Sequence, residues 1–373
     1  MQKIKILTYH CALNVGAVLQ CYALSAYLKN ANVDVEVVDY RDPKVVNEAI
    51  EQILHLKKSN PIKYYKRRVI HIIKTAIKFL CGRCNLEDFK QSTPEAFVDF
   101  VTRYIPLSSK SYYSKEELAS FSSNKSIFLV GSDQVWNPSL SANPSVYFLD
   151  FLKEGRKVAY AASFGKTDIS KECKSLIVSN LPSFDAISVR EKEGVDMVKN
   201  LIGKNCLWVI DPVFLLTKKQ WERLLLRRTT REPYILVYRM ENNELFQREI
   251  QKIKKQIPEL KVVVFDYISD GVEYDEFVKC KGPLEFISYI YYSNYVVTNS
   301  FHGVAFSIIF SKAGIVIPHK TLNNRISSIM SLLNVEMENG VYHLCDMDKS
   351  NIEESIRFSK EYLKSTIDKI YCV

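Results

Sequence analysis

Four short stretches, each directly behind an apolar run, hold residue types that can do chemistry. The sharpest is Thr298-Asn299-Ser300-Phe301-His302-Gly303, which follows Tyr295-Val296-Val297 and carries one of only six histidines. An imidazole there can donate a hydrogen bond to an anion or move a proton near neutral pH. Ser300 can cap a helix that starts near His302. The N–H groups and positive dipole end of that helix suit an anion. Gly303 and Ala305 permit close backbone approach. The competing reading is a histidine satisfied within the core. In Ser188-Val189-Arg190-Glu191, Arg190 offers a planar fork for carboxylate or phosphate; the alternative is an ion pair with Glu191 or Glu193. Arg325 adds a second cation at a helix start, or else a surface ion pair.

A third stretch is Gly131-Ser132-Asp133-Gln134-Val135-Trp136-Asn137-Pro138. Its density of polar and aromatic groups suits a sugar. Asp133, Gln134 and Asn137 would meet hydroxyls, and the Trp136 indole would meet the ring face. Asp133 can also accept a proton from an attacking hydroxyl. Alternatively, Asp133 caps a turn over a buried Trp136. The fourth stretch is Asn14-Val15-Gly16-Ala17. Gly16 lets the turn tighten and lets a ligand approach backbone N–H groups, or it simply starts a helix. The stretch is neither GxGxxG nor a Walker A loop, so a nucleotide fingerprint is lacking.

The elements that must position these residues alternate. Strands are predicted at 4–9, 33–40, 126–130, 157–162 and 186–189, then at 207–210, 234–238, 262–265, 295–298 and 315–317. A helix at 17–29 follows the first strand. Helical patterns fill 44–120, and further helices fall at 218–227, 242–256, 283–292, 302–311, 322–334 and 351–370. Alternation of this kind predicts an α/β protein with parallel sheets covered on both faces. In such sheets ligands bind beyond the carboxyl ends of the strands, where the four stretches fall. The expected division is 1–205, with a helical insert at 44–120, then 206–345, then a terminal helix at 346–373 that packs back.

At 373 residues, 47% apolar and 25% charged, the chain has the balance of a soluble globular protein. No apolar run reaches membrane-spanning length, and the N-terminus lacks a signal-peptide pattern. Scattered cysteines read as reduced thiols, so a cytoplasmic protein is expected. Cys81 and Cys84 form a lone CxxC without further ligands at zinc spacing. Neither a metal nor a cofactor is expected. The net charge of +9 comes wholly from Gln52–Leu86, which has nine basic residues between Lys57 and Arg83 and no acidic one. Ile62, Tyr65, Val69, Ile72, Ile73, Ala76, Phe79 and Leu80 recur there at helical spacing. The helix either packs by its apolar side or meets anionic lipid or an acidic polymer. Nucleic acid is not expected, because no recognition motif accompanies the charge.

Taken in order, several motifs resemble the polysaccharide pyruvyl transferase family over residues 5–335. They are Asn14 to Gln20, Gly131 to Asn137, Ser188 to Glu191, Asp211-Pro212-Val213, Thr298 to Gly303 and Asn324-Arg325. The resemblance implies two Rossmann-like domains facing a cleft, as in B-type glycosyltransferases. It implies phosphoenolpyruvate as donor and, as acceptor, a sugar of a surface polysaccharide or its lipid-linked precursor. The product would be a pyruvate ketal across two hydroxyls, with phosphate released. Such polymers are commonly assembled at the inner membrane face, which the basic helix fits. Arg190 matches a donor-binding arginine and His302 the donor-site histidine. As an imidazolium, His302 is expected to protonate the donor's methylene carbon. Some members carry Arg-Leu-His where this chain has Ser300-Phe301-His302. Arg325, Lys320 or helix N–H groups are the expected substitutes. A nucleotide-sugar glycosyltransferase and a non-catalytic polysaccharide-binding protein are the competing readings.

Overall fold

The computed structural model describes residues 3–80, 93–122, 126–228, 230–266, 270–279, 281–319, 324–345 and 347–371. Cys81, Arg83, Cys84 and Lys320 lie outside the described residues. The first half runs β1 (Ile4–Leu7), α1 (Val15–Asn30), β2 (Val35–Tyr40), α2 (Glu48–Ser59), α3 (Pro61–Leu80), α4 (Thr93–Tyr104), β3 (Leu107–Tyr112) and α5 (Lys115–Phe121). It continues through β4 (Ile127–Val130), β5 (Arg156–Ala162), α6 (Lys171–Asn180), β6 (Ala186–Val189), α7 (Lys192–Ile202) and β7 (Leu207–Trp208). The second half begins with α8 (Lys218–Glu222), β8 (Tyr234–Tyr238), α9 (Leu245–Gln256), β9 (Lys261–Asp266), β10 (Glu276–Lys279), α10 (Pro283–Tyr292) and β11 (Tyr295–Thr298). It ends with α11 (Phe301–Phe310), β12 (Ala313–Val316), α12 (Asn324–Leu332), β13 (Met337–Glu338), β14 (Val341–His343) and α13 (Ser350–Tyr371).

The strands form two seven-stranded sheets, ordered β3-β2-β1-β4-β5-β6-β7 and β10-β9-β8-β11-β12-β14-β13. The first is parallel throughout. The second is parallel up to β12, and β14 and β13 close its edge antiparallel. Every residue of β4 (Ile-Phe-Leu-Val) and of β8 (Tyr-Ile-Leu-Val-Tyr) is buried, because helices cover both faces. The parallel part of each sheet reverses its strand order once, between β1 and β4 and between β8 and β11. Crevices open at such switch points. One hydrophobic cluster joins the halves: Val15, Val18 and Leu19 of α1 share it with Val304, Ala305 and Phe306 of α11.

Three expectations are corrected. Residues 107–112 are a strand rather than helix. Leu-Ser-Ser-Lys-Ser-Tyr is an edge strand whose middle faces solvent, so its sequence lacks an apolar signal. The first sheet reaches Trp208, past the expected boundary at 205, because Leu207 and Trp208 pair with Ser188 and Val189. The helix expected over 218–227 ends at Glu222. The terminal helix α13 places Ile352, Leu363 and Ile367 in the shared core, and its Ser359 Oγ accepts the Ile210 N–H at 3.0 Å.

Candidate functional site

The two switch points face one another across a cavity of about 150 Å³. Asn14 and Gly16 reach it from the β1–α1 turn and Asp133 from beyond β4. Tyr238 ends β8, Ser300 to His302 start α11, and Arg325 starts α12. A second, adjoining recess of about 440 Å³ lies between the end of β7, α12 and α13. Phe301 and Arg325 border both spaces.

His302 is 6% exposed, and its imidazole lies flat on the backbone of Gly16: a Cβ there would come within 1.9 Å of Nδ1. Gly16 is therefore required by the histidine, not by a ligand on its N–H. The Gly16 and Ala17 N–H groups already donate to Asn14 Oδ1, at 2.9 and 3.2 Å. His302 Nε2 is buried without a hydrogen-bond partner, 3.9 Å from Asp211 Oδ2. Burial pushes the imidazole pKa down to about 4; Arg190 and Arg325 add to this, and Asp211 and Asp133 oppose it. The free protein thus holds a neutral imidazole at neutral pH. The imidazolium is therefore not the resting state: desolvation above all, with two guanidinium groups, outweighs the nearby carboxylates.

Ser300 caps α11, its Oγ accepting the Gly303 N–H at 3.4 Å. A Cβ on Gly303 would meet Thr298 Oγ1 at 2.5 Å, so the glycine seats α11 against its own strand.

Arg190 sits one layer behind His302. It is 3% exposed and lines the larger recess rather than the small cavity. Its Nη1 donates to Asp211 Oδ2 at 2.6 Å, and its guanidinium lies 4.8 Å from the Phe301 ring centroid. Asp133 and Glu191 each approach to 3.6 Å, yet Nε and Nη2 make no hydrogen bond. Asp211 is the hub. It also accepts from Ser132 Oγ at 3.0 Å and the Val213 N–H at 3.0 Å. Burial would raise its carboxyl, but Arg190 above all holds it below the usual range. Burial raises Glu191, whose Oε1 accepts from Ser163 Oγ. Burial and then the neighbouring Arg190 lower Arg325, so two cations crowd one small space.

Asp133 holds φ at +77°, and its Oδ1 accepts the Gln134 N–H at 2.9 Å. Aspartate is one of the few non-glycine residues that enter this left-handed region, and here the turn it makes aims Asp133 at the cavity. The rest of that stretch is corrected. Trp136 is fully buried, stacked on Phe148 at 5.5 Å, with its indole N–H given to the Tyr147 carbonyl at 3.0 Å. No face remains for a sugar. Asn137 Oδ1 caps Ser139 at 3.2 Å, its Nδ2 donates to Gln134 Oε1 at 3.2 Å, and neither residue lines the cavity. The turn over a buried tryptophan is what folds.

Sequence reasoning missed Asp211, Tyr238, Asn299 and His319. Asn299 ties the two strand ends, accepting from the Met240 N–H at 2.7 Å and donating to the Glu241 carbonyl at 3.0 Å. Asp211 comes three residues after β7 and directly behind the apolar run 207–210, so the strand-end rule could have found it. Among the described residues one cluster has metal-ligand types, namely His10, Cys11 and Asp39. Asp39 there already accepts from His10, Arg41, Lys58 and Ser111, which leaves a cation no vacant carboxylate oxygen.

The family model for polysaccharide pyruvyl transferases matches residues 14–321, a span that contains the whole wall of the cavity except Arg325 and Ile326. The chain belongs to the polysaccharide pyruvyl transferase family. Members of this family are transferases, and the chain is a transferase by that membership. No curated protein matches it in sequence. In fold, this pyruvyl transferase family member is similar to the UDP-GlcNAc 2-epimerase of Methanocaldococcus jannaschii. The two are 9% identical with a TM-score of 0.50, over 97% of this chain and 92% of the other. A Listeria monocytogenes protein described provisionally as a UDP-N-acetylglucosamine 2-epimerase aligns at 10% identity and a TM-score of 0.50, over 99% and 90%. These likenesses establish the fold: two Rossmann-like domains of the B-type glycosyltransferase kind.

Proposed function

We propose that the protein transfers the pyruvate unit of phosphoenolpyruvate onto two hydroxyls of a sugar. The sugar belongs to a surface polysaccharide or its lipid-linked precursor, and phosphate is released. The observation that carries this reading is the small cavity, where a neutral, unpartnered imidazole, a left-handed aspartate and Arg325 converge. The small cavity, at about 150 Å³, suits a three-carbon phosphate ester and leaves the adjoining recess of about 440 Å³ to the acceptor.

Arg325 and the head of α11 hold the donor's anionic groups, which supplies the cation lost with Ser300 at the family's arginine position. Arg190, behind Phe301, keeps the site positive without direct contact. The donor's negative charge raises the His302 pKa, so the ring gains a proton as the donor binds. His302 then gives that proton to the methylene carbon, and an acceptor hydroxyl attacks the cationic C2. Asp133 takes the first hydroxyl proton. The second hydroxyl displaces phosphate. The two hydroxyl protons restore His302 and leave on phosphate. The acceptor ring occupies the larger recess, where Trp208, Phe358, Asn351, Glu354 and Ser355 offer aromatic faces and hydrogen-bonding groups.

Mass spectrometry of candidate acceptors incubated with protein and phosphoenolpyruvate tests this. The expected product is the acceptor plus one pyruvate less one water, with equimolar phosphate. Turnover of nucleotide sugars in its place would overturn it.

A further inference from the structure

The helix α3 carries an unusual surface. Six large apolar side chains stand in solvent along it: Ile62 (80% exposed), Tyr65 (54%), Val69 (54%), Ile70 (40%), Ile73 (53%) and Ile77 (56%). At about 100° per residue, Ile62, Tyr65, Val69, Ile73 and Ile77 fall within one arc of about 120°. Lys66 lies inside that arc. Ile70, Lys63, Lys74 and Arg67 follow along one edge.

The orientation reverses the usual one. In the first two turns of α3 the side chains that face the protein make polar contacts: Tyr64 Oη and Arg68 Nη1 both hold Asp99, at 3.0 and 2.5 Å. In the preceding helix, Lys57 also binds Asp99 and Lys58 binds Asp39. Three of the basic residues in this region are thus spent on internal ion pairs. Lys63, Lys66, Arg67 and Lys74 lie in or beside an apolar stripe that points outward.

We propose that α3 is an interfacial helix that docks the protein on an anionic lipid surface. Its isoleucine stripe would enter the acyl boundary, and Lys63, Lys66, Arg67 and Lys74 would meet the headgroups. Charge selects this occupant over a second copy of the chain. With no acidic residue between Gln52 and Leu86, two stripes would bring only like charges together, whereas anionic headgroups are complementary. Exposed isoleucines on the same arc disfavour a nucleic acid. The inference stands apart from the chemistry of the cavity, since α3 contributes nothing to its wall.

Co-sedimentation of the full chain with vesicles tests it. Binding is expected to vesicles containing phosphatidylglycerol, to be weak to phosphatidylcholine alone, and to fall with salt. Val69→Glu/Ile73→Glu should abolish it at unchanged melting temperature, since both side chains already face water. Lys63→Gln/Lys66→Gln/Arg67→Gln/Lys74→Gln should weaken it by roughly several hundredfold, from about fivefold per charge. Equal binding to both vesicle types, or no loss in either variant, overturns the proposal. So does self-association of the wild type that Val69→Glu/Ile73→Glu removes.

Discussion

Two buried histidines, His10 and His302, follow the switch-point strands β1 and β11, and they meet opposite fates. His10 Nε2 sits 2.9 Å from Asp39 and its Nδ1 3.3 Å from the Thr8 carbonyl. Burial alone would lower its pKa, but Cys11 and Asp39 push it up to about 10. His302 has a carboxylate at 3.9 Å, but that carboxylate belongs to Arg190. Its own Nε2 is left without a partner and its pKa falls to about 4. A buried histidine with a committed carboxylate is a charged strut. One whose neighbouring carboxylate stays beyond hydrogen-bond reach, at 3.9 Å, is a group open to a ligand.

The largest expected contrast separates chemistry from folding. His302→Gln should cut transfer ~10²–10⁴-fold while moving the melting temperature little. Asp39→Asn should do the reverse. It strands Arg41, Lys58 and His10 around a neutral amide, and losing one partner of a buried ionic network costs about 3–5 kcal/mol, read by urea denaturation. Loss of turnover with intact stability in Asp39→Asn would erase the distinction.

Stability against pH gives the next contrast, again with opposite signs. His10, raised from 6.5 to about 10, contributes stability that is complete below pH 6.5 and is lost as pH rises through 10. His302, lowered from 6.5 to about 4, takes up its proton more readily in the unfolded chain. Its burial therefore costs stability as pH falls from 6.5 towards 4. His10→Gln should flatten the alkaline limb of a denaturation series, and His302→Gln the acid limb. Each limb unchanged would refute the corresponding assignment.

A smaller effect is expected from Gly16→Ala. Its methyl would collide with His302 Nδ1, so the ring must move and kcat should fall without loss of donor affinity. Smallest of all, Phe358→Ala should raise the acceptor KM about fivefold, the ~1 kcal/mol at the low end of a hydrophobic contact, while the phosphoenolpyruvate KM holds.

The sequence made the fold legible wherever strands were continuously apolar. Tyr234–Tyr238 and Tyr295–Thr298 were located to the residue. It hid β3, because a polar edge strand carries no burial pattern. His302 and Asp133 were legible as polar groups behind buried strands. The state of His302 was not, since its charge depends on Arg190, Arg325 and Asp211 from three other segments. Trp136 misled because an indole serves a core as readily as a sugar face, and only its neighbours Phe148 and Phe164 decide. In α3 the spacing was readable but its direction was not. Asp99, beyond the helix, draws Tyr64 and Arg68 inward and leaves the isoleucine stripe in solvent.

The central claim is that the small cavity binds phosphoenolpyruvate and protonates His302 in doing so. Calorimetric titration of phosphoenolpyruvate into the protein at neutral pH, in buffers of differing ionisation enthalpy, measures both at once. Saturable binding with net proton uptake, with the uptake lost in His302→Gln, is the predicted result. Absence of binding, or the same proton uptake in His302→Gln, would contradict it.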